Sequence, residues 1–174
     1  MARATVTTLD CWRTLLPAFW AGGLVAVAAI ATPAPFATLA VADAGRVVAR
    51  VLAQEAHASL VLGVALLLLE RQAAKRGAGG GAGTQFSGGM VLALAAIFCT
   101  VLGYFALQPL MPAARAGQGA FSFAQLHMAS ALCYGLKTLA VLALAWRNVA
   151  AAVVGAREAS AGAPTPPPVT PASS

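Results

Sequence analysis

Four ionisable side chains interrupt the long apolar stretches of this chain, and they are the residues whose types could do chemistry. Glu55 and His57 lie in the second apolar stretch, whereas His127 and Lys137 lie in the fourth. Ionisable groups at membrane depth are costly, usually face the interior of a helix bundle, and mark ion pathways, proton relays or ligand sites. These four residues are therefore the first candidates for function.

The polar residues of the fourth stretch share one face of a helix. They follow His127 at intervals of 3, 7, 10 and 11 positions, which is the spacing of a single helical stripe: Ser130, Tyr134, Lys137 and Thr138. In a stretch this apolar, such a stripe is expected to point at other helices. Lys137 could snorkel toward a headgroup, but it lies ~13 Å along the helix from Trp146. We therefore expect a buried partner such as Glu55.

The second stretch divides its polar residues between two faces. Glu55 and Ser59 share one face, whereas Gln54 and His57 share another. At ~100° per residue, His57 lies ~200° around the helix from Glu55. The sequence therefore predicts that Glu55 and His57 do not form a joint site, and that at most one of them faces the stripe on the fourth stretch.

His57 and His127 are the two histidines of the chain, and both are candidate cofactor ligands. They would act as axial ligands of haem, or as copper ligands together with Met128 or Cys133, because sulfur ligands suit Cu(I). Hydrogen-bonded structural histidines and packed sulfur side chains are the alternative interpretation.

Motifs of the common enzyme classes are absent from the sequence. It has no His-Glu-x-x-His zinc motif, phosphate-binding loop, nucleophile elbow or pair of acid–base carboxylates. The three cysteines do not have zinc-ligand spacing. No catalytic residue is assigned, and an enzymatic activity is not indicated.

The elements that must position these residues are four apolar stretches, at 15–31, 51–69, 90–107 and 126–146. A bilayer core ~30 Å thick is crossed by ~20 apolar helical residues. Hydrophobic residues make up 60% of the chain and charged residues 9%, against about 25% charged in soluble domains. The sequence therefore predicts an all-α membrane protein with four transmembrane helices packed as a bundle.

The positive charges indicate the orientation of these helices. Seven of the eleven Lys and Arg residues fall in the N-terminal arm, the second loop and the tail, and positive residues favour the cytoplasmic side. Both termini are therefore expected in the cytoplasm. The charge of +6 is not clustered, so nucleic acid is not an expected partner.

The chain divides into segments of different composition. We expect a cytoplasmic arm at 1–13, the transmembrane domain at 14–148, a flexible Gly-rich linker at 77–88 and a disordered Pro-rich tail at 159–174.

Several motifs give the chain a family resemblance. They are Phe-Trp-Ala-Gly-Gly at 19–23, Ala-Thr-Pro-Ala-Pro-Phe-Ala-Thr-Leu at 31–39, Ala-Gly at 44–45, Arg-Val-Leu at 50–52, and Phe123 followed by Leu126-His127-x-x-Ser130. Over roughly 14–148 the chain resembles the bacterial domain-of-unknown-function 4149 family, which is related to eukaryotic transmembrane protein 205. The resemblance implies a four-helix protein of the bacterial cytoplasmic membrane with no assigned activity.

More distant similarity extends to copper-resistance D-type membrane proteins and to the four-helix protoporphyrinogen oxidase that carries haem b. Those relatives use membrane histidines for metal or haem. This chain lacks the histidine that they have early in the first helix.

Three functions are compatible with these observations. The first is a structural or accessory protein of the bacterial envelope, with the lipid bilayer as its partner and a homo-oligomer as an alternative to a monomer. The second is a haem b- or copper-binding protein that uses His57 and His127. The third is a small transporter or proton-coupled channel subunit that uses Glu55 and Lys137 and requires oligomers.

Overall fold

The computed structural model describes residues 8–78 and 87–161, and that part of the chain is helical with no strand. Six α-helices occur in it: α1 (Thr8–Ala26), α2 (Ala34–Thr38), α3 (Val41–Ala78), α4 (Gly88–Thr100), α5 (Met111–Arg115) and α6 (Phe123–Ala161). The π-helical segments Val27–Ala31 and Val101–Ala106 continue α1 and α4, and a 3₁₀ turn, Gln108–Leu110, precedes α5. The prediction of an all-α fold is confirmed.

Four helical segments are long and apolar enough to cross a membrane, and they agree with the four predicted spans. They run over Thr8–Thr38, Val41–Arg76, Gly88–Arg115 and Phe123–Glu158. Each helical segment is longer than the apolar stretch that predicted it and includes residues on both sides of that stretch. The predicted four-helix transmembrane fold is therefore confirmed, whereas the orientation of the termini stays a prediction.

The predicted segments around the bundle fall partly within the structure. α1 begins inside the predicted arm, and α6 ends inside the predicted tail. The rest of the arm, most of the Gly-rich linker and the tail from residue 162 lie outside the described residues.

The four long helices form a square in cross-section. α1 and α4 each pack along both α3 and α6, so α3 and α6 lie diagonally across the bundle. The core includes Trp20, Leu24, Leu66 and Leu144, with small residues such as Ala93 where helices approach closely. Such seams of small residues let membrane helices pack by van der Waals contact.

Large apolar side chains cover the outside of the bundle. Phe19 is 82% exposed and Trp146 79% exposed, and many leucines and valines are exposed with them. An apolar exterior around an apolar core is the pattern of a protein whose solvent is lipid.

One end of the bundle carries most of the basic residues and is called the basic end here. Arg13 of α1 contacts Glu70 of α3, and Arg147 of α6 lies against Gly88 at the start of α4. The beginnings of α1 and α4 and the C-terminal parts of α3 and α6 therefore meet at a single end. The short helices α2 and α5 occupy the connections at the other end.

Candidate functional site

A buried polar cluster joins α1, α3 and α6 inside the bundle, and we call Trp20, Glu55, Ser59 and Lys137 the central cluster. Lys137 Nζ donates to both carboxylate oxygens of Glu55, at 2.8 and 2.9 Å. Ser59 Oγ donates to the same carboxylate. Trp20 Nε1 in turn donates to Ser59 Oγ at 3.0 Å. The expected partnership of Lys137 with Glu55 is thus present, with two further residues attached to it.

The ion pair at the centre of this cluster is almost fully withdrawn from the surface. The side chains of Lys137 and Glu55 are 4% and 10% exposed. Lys137 Nζ also lies 4.6 Å from the centroid of the Tyr134 ring, a distance at which the ring face attracts a cation. Neither charge can be left without its partner in such a setting, because an unpaired buried charge is strongly destabilising.

The predicted stripe on α6 makes hydrogen bonds to each of the other long helices. Ser130 Oγ donates to the Gly103 carbonyl at 3.0 Å, and Tyr134 Oη donates to the Leu24 carbonyl at 2.9 Å. Lys137 supplies the bond to α3. Thr138 instead donates to the Tyr134 carbonyl within α6.

Both carbonyl acceptors of the stripe lie at the π-helical segments. Gly103 is inside Val101–Ala106, and Leu24 lies one turn before Val27–Ala31. A Cβ on Gly103 would stand 2.8 Å from Cys133 Cβ, so the glycine lets the α4 continuation approach α6 closely. π-helical bulges shift the backbone hydrogen-bond pattern and concentrate at functional sites.

A lateral groove of about 840 Å³ runs between α1 and α3, and three residues of the central cluster lie on its inner side. Its walls are mostly apolar and include Phe19, Gly23, Val27, Val51, Ala58 and Leu62, with the polar Gln54 among them. Glu55, Ser59 and Trp20 also line it. The groove therefore brings the buried carboxylate within reach of a molecule that enters from the side of the bundle.

A second polar cluster, the end cluster, consists of Arg13, Glu70 and Asn148 at the basic end. Arg13 donates from Nε and Nη2 to the two Glu70 carboxylate oxygens, at 3.1 and 3.0 Å. Asn148 Nδ2 donates to Glu70 Oε1 at 3.0 Å and to the Arg13 carbonyl at 2.8 Å. Glu70 is 1% exposed, and Arg13 is 26% exposed.

Pro17 explains why Asn148 bonds to the backbone of α1. Proline has no N–H, so the carbonyl four residues earlier in a helix loses its ordinary donor. Pro17 lies inside α1, and that carbonyl belongs to Arg13. The Asn148 side chain replaces the missing donor.

The end cluster also depends on the start of α4. A Cβ on Gly89 would stand 2.2 Å from Glu70 Oε2, so only glycine lets the carboxylate lie there. The first turn of a helix carries a partial positive charge that favours a carboxylate. Glu70 is thus held by Arg13, Asn148 and the beginning of α4.

Sequence reasoning did not identify the end cluster. Glu70 follows the last residue of the second apolar stretch and Arg13 precedes the first, so neither is among the ionisable residues inside the stretches. The signal that could have revealed the cluster is Pro17, because a proline inside an apolar helix predicts an orphaned carbonyl that needs a side-chain donor.

The two histidines lie on the outside of the bundle. His57 is exposed; its Nδ1 lies 2.7 Å from the Ala53 carbonyl, and its ring meets Tyr104 and Phe105 edge-on with centroids 6.3 and 5.3 Å away. His127 is exposed and stacks on Phe123 at 5.7 Å. His127 thus belongs to the stripe by spacing but not to the bonds that join the helices.

The two proposed sulfur ligands, Met128 and Cys133, differ in their exposure. Met128 is 61% exposed, whereas Cys133 is buried against Gly103. Within residues 8–78 and 87–161 no group of three or more His, Cys, Asp or Glu is arranged to hold a metal ion.

Comparison with known proteins gave one match, to a family. Neither the curated proteins nor the solved structures contain a match to this chain. The family described as Domain of unknown function (DUF4149) matches residues 15–120, which include Glu55, Ser59 and Glu70 and end before α6. This match covers more than half of the 174 residues, and the chain therefore belongs to the DUF4149 family.

Proposed function

We propose that this protein is a structural or accessory component of the bacterial cytoplasmic membrane and that its buried polar residues serve to assemble the bundle. The observation that carries this proposal is that the buried polar side chains are engaged in hydrogen bonds within the bundle. In the part of the chain that the structure describes, every buried side-chain nitrogen and oxygen has a hydrogen-bond partner. Glu55 and Lys137 bond each other, and Ser130 and Tyr134 bond backbone carbonyls of neighbouring helices.

The arrangement of these bonds supports an assembly role. The α6 stripe bonds to α1 through Tyr134, to the continuation of α4 through Ser130 and to α3 through Lys137. Side-chain bonds between membrane helices contribute about 0.6 kcal/mol on average and up to about 1.7 kcal/mol. Bonds from one face of α6 to three other helices specify how α6 is oriented in the bundle and at which depth it lies.

A double substitution separates assembly from chemistry. The variant E55M/K137M replaces the ion pair by apolar side chains of similar length, which often preserves stability. We expect this variant to express, to fold and to restore envelope integrity, measured as detergent sensitivity, in a strain that lacks the gene. A folded variant that fails to restore integrity would contradict the assembly role.

The cytoplasmic position of both termini is part of the same proposal. Arg13, Arg71, Arg76 and Arg147 are concentrated toward the basic end, which the positive-inside tendency assigns to the cytoplasm. Cys11 is exposed near that end. In a variant that keeps Cys11 as its single cysteine, an impermeant maleimide should label inside-out vesicles and spare intact spheroplasts; the reverse pattern would invert the topology.

A transporter or proton-coupled channel subunit is the second candidate function. It is favoured by the Glu55 carboxylate, which lines the groove while paired with Lys137. A proton pathway through them predicts dye-detected flux in vesicles that carry the protein, and its loss in Glu55→Gln. Flux equal to that of empty vesicles would argue against it.

A haem- or copper-binding function is the third candidate, and the placement of the histidines gives it a specific form. Because His57 and His127 are both exposed on the outside of the bundle, a group held by their imidazoles would lie on that exterior. The buried Cys133 does not share this surface.

An optical spectrum with elemental analysis of the purified protein tests this third candidate. A stoichiometric Soret band or bound copper that is lost in His127→Ala would support it. Colourless, metal-free protein from haem-replete, copper-supplemented cells would count against it.

A further inference from the structure

We propose that the groove between α1 and α3 is a binding site for a lipophilic alcohol, whose hydroxyl group donates a hydrogen bond to Glu55. The ligand class is a long-chain or isoprenoid molecule with a single small polar end. This binding site is independent of the assembly role proposed above, since it uses a face of Glu55 that the helix contacts leave available.

The dimensions and walls of the groove fit the apolar part of such a molecule. About 840 Å³ lies within the range of small-molecule sites in proteins, roughly 300–1,000 Å³. Phe19, Val27, Val51 and Leu62 supply apolar surface, and Gly23 and Ala58 leave the space between the helices open. A Cβ on Gly23 would meet no atom within 4 Å.

The hydrogen bonds of the central cluster decide which polar group the groove accepts. Lys137 Nζ directs its donors at Glu55 and Ser59, Trp20 directs its one donor at Ser59, and Ser59 donates to Glu55 Oε1. A carboxylate offers about four acceptor positions. The protein fills three of them, so Glu55 Oε2 retains acceptor capacity toward the groove. The donors of Lys137, Trp20 and Ser59 are all used at this depth, and Gln54 lines the groove on the other face of α3.

The net charge of the cluster favours a neutral ligand. Glu55 and Lys137 neutralise each other, so a cationic ligand would bury a third charge without a counterion. A fatty carboxylate would place a second anion beside Glu55 and would offer no donor. A hydroxyl group supplies the donor without a charge.

The depth of Glu55 favours a small polar end over a lipid headgroup. Glu55 lies one helical turn, ~6 Å, below Val51 at the start of the apolar stretch. A phospholipid headgroup stays at the membrane surface, whereas an alcohol can carry its hydroxyl to this level at modest cost because the hydrogen bond to Glu55 offsets its desolvation.

The test uses farnesol as the probe and its methyl ether as the matched ligand. Full-length protein in mild detergent is titrated with tritiated farnesol, and unlabelled farnesol or farnesyl methyl ether is used as competitor. The two molecules share their isoprenoid chain, but the ether has no donor. Because a hydrogen bond to a charged group is lost with the ether, farnesol should compete about ten-fold better or more.

Two neighbouring glycines provide the matched variants. Gly23→Leu fills the groove without touching the ion pair, whereas Gly22 does not line the groove and also has no atom within 4 Å of an added Cβ. We expect Gly23→Leu to lose at least ten-fold in farnesol affinity and Gly22→Leu to stay within about two-fold of the parent protein.

Three outcomes would overturn this proposal. Equal competition by farnesol and its ether would show that no donor is recognised, and unchanged affinity in Gly23→Leu would place binding elsewhere. If the parent protein binds neither molecule and Gly23→Leu converts a dimer to a monomer, a second copy of the chain occupies the groove.

Discussion

The central and end clusters are built to the same plan but at different depths. In each, a glutamate of α3 pairs with a cation from another helix, Lys137 of α6 in one and Arg13 of α1 in the other. The central pair is buried on both sides, whereas Arg13 keeps about a quarter of its side chain exposed. Both clusters contain an ion pair, so the pair alone does not distinguish them. We expect the burial of both charges to determine how much the free energy of unfolding falls when a cluster is broken.

The choice of cation matches the depth of each cluster. The planar guanidinium of Arg13 bonds Glu70 through two parallel donors near the membrane surface, which is the geometry that arginine provides. The compact ammonium of Lys137 fits the interior, where it contacts Glu55, Ser59 and the Tyr134 ring. Exchange of the two cations would therefore not be conservative.

The largest expected effect comes from breaking the central pair on one side. Lys137→Met leaves the Glu55 carboxylate buried without its cation, and removal of one partner from a buried pair costs about 3–5 kcal/mol. The free energy of unfolding in lipid–detergent bicelles, measured by steric trapping, should fall by that amount. An unchanged value would mean that water or lipid compensates Glu55.

The same kind of substitution in the end cluster should cost less. Glu70→Gln removes the charge that Arg13 and Asn148 bind, but Arg13 can turn its guanidinium toward water and headgroups. We expect a loss of about 1–3 kcal/mol, the range for an unsatisfied buried polar group, in the same unfolding measurement. A loss as large as that of Lys137→Met would contradict the distinction in depth.

Gly89→Ala tests the end cluster from the side of α4. The added methyl group would overlap Glu70 Oε2 and force the carboxylate or the helix to shift, at a cost of about 1–3 kcal/mol. Gly135→Ala is the matched control, because its Cβ would meet no atom within 4 Å. The control should be neutral or slightly stabilising, and equal effects of the two substitutions would refute the close approach.

The smallest effect concerns the bond between Asn148 and the Arg13 carbonyl. Pro17→Ala restores the N–H that a helix normally offers to that carbonyl, so Asn148 is then needed less. Asn148→Ala should therefore destabilise the Pro17→Ala protein less than it destabilises the parent protein. The difference between these two losses of stability should be roughly 0.5–1 kcal/mol. Thermal unfolding of the four proteins of this cycle measures the difference, and additive effects would show that Asn148 does not compensate for Pro17.

The four-helix fold could be predicted from the sequence, and so could Glu55 as a candidate partner of Lys137, whereas the contacts of Trp20 and Ser59 with this pair could not. Four long apolar stretches specify four helices, and the stripe through Ser130, Tyr134 and Lys137 identifies the face of α6 that meets its neighbours. Glu55 could be named as a candidate partner because a deep lysine needs an anion and that carboxylate lies in another span.

The helix contacts, the position of His127 and the end cluster could not be predicted, because they depend on helix rotation and close packing, which residue spacing does not encode. The approach of α3 to α4 follows from Gly63, where a Cβ would stand 2.7 Å from Ile97 Cγ1. Spacing placed His127 on the polar stripe, yet its ring stacks outside on Phe123. The end cluster joins residues from the ends of three helices, so no single stretch displays it.

The most direct test of the account is a double-mutant cycle on Glu55 and Lys137, with Glu55→Met, Lys137→Met and the double variant measured by steric trapping. If the pair serves assembly, each single substitution should destabilise by about 3–5 kcal/mol, while the double variant should lie within about 1–2 kcal/mol of the parent. That pattern would show that the two charges are needed only because each neutralises the other. Additive losses in the double variant would contradict the account, because they would mean that each residue has a separate role in the bundle.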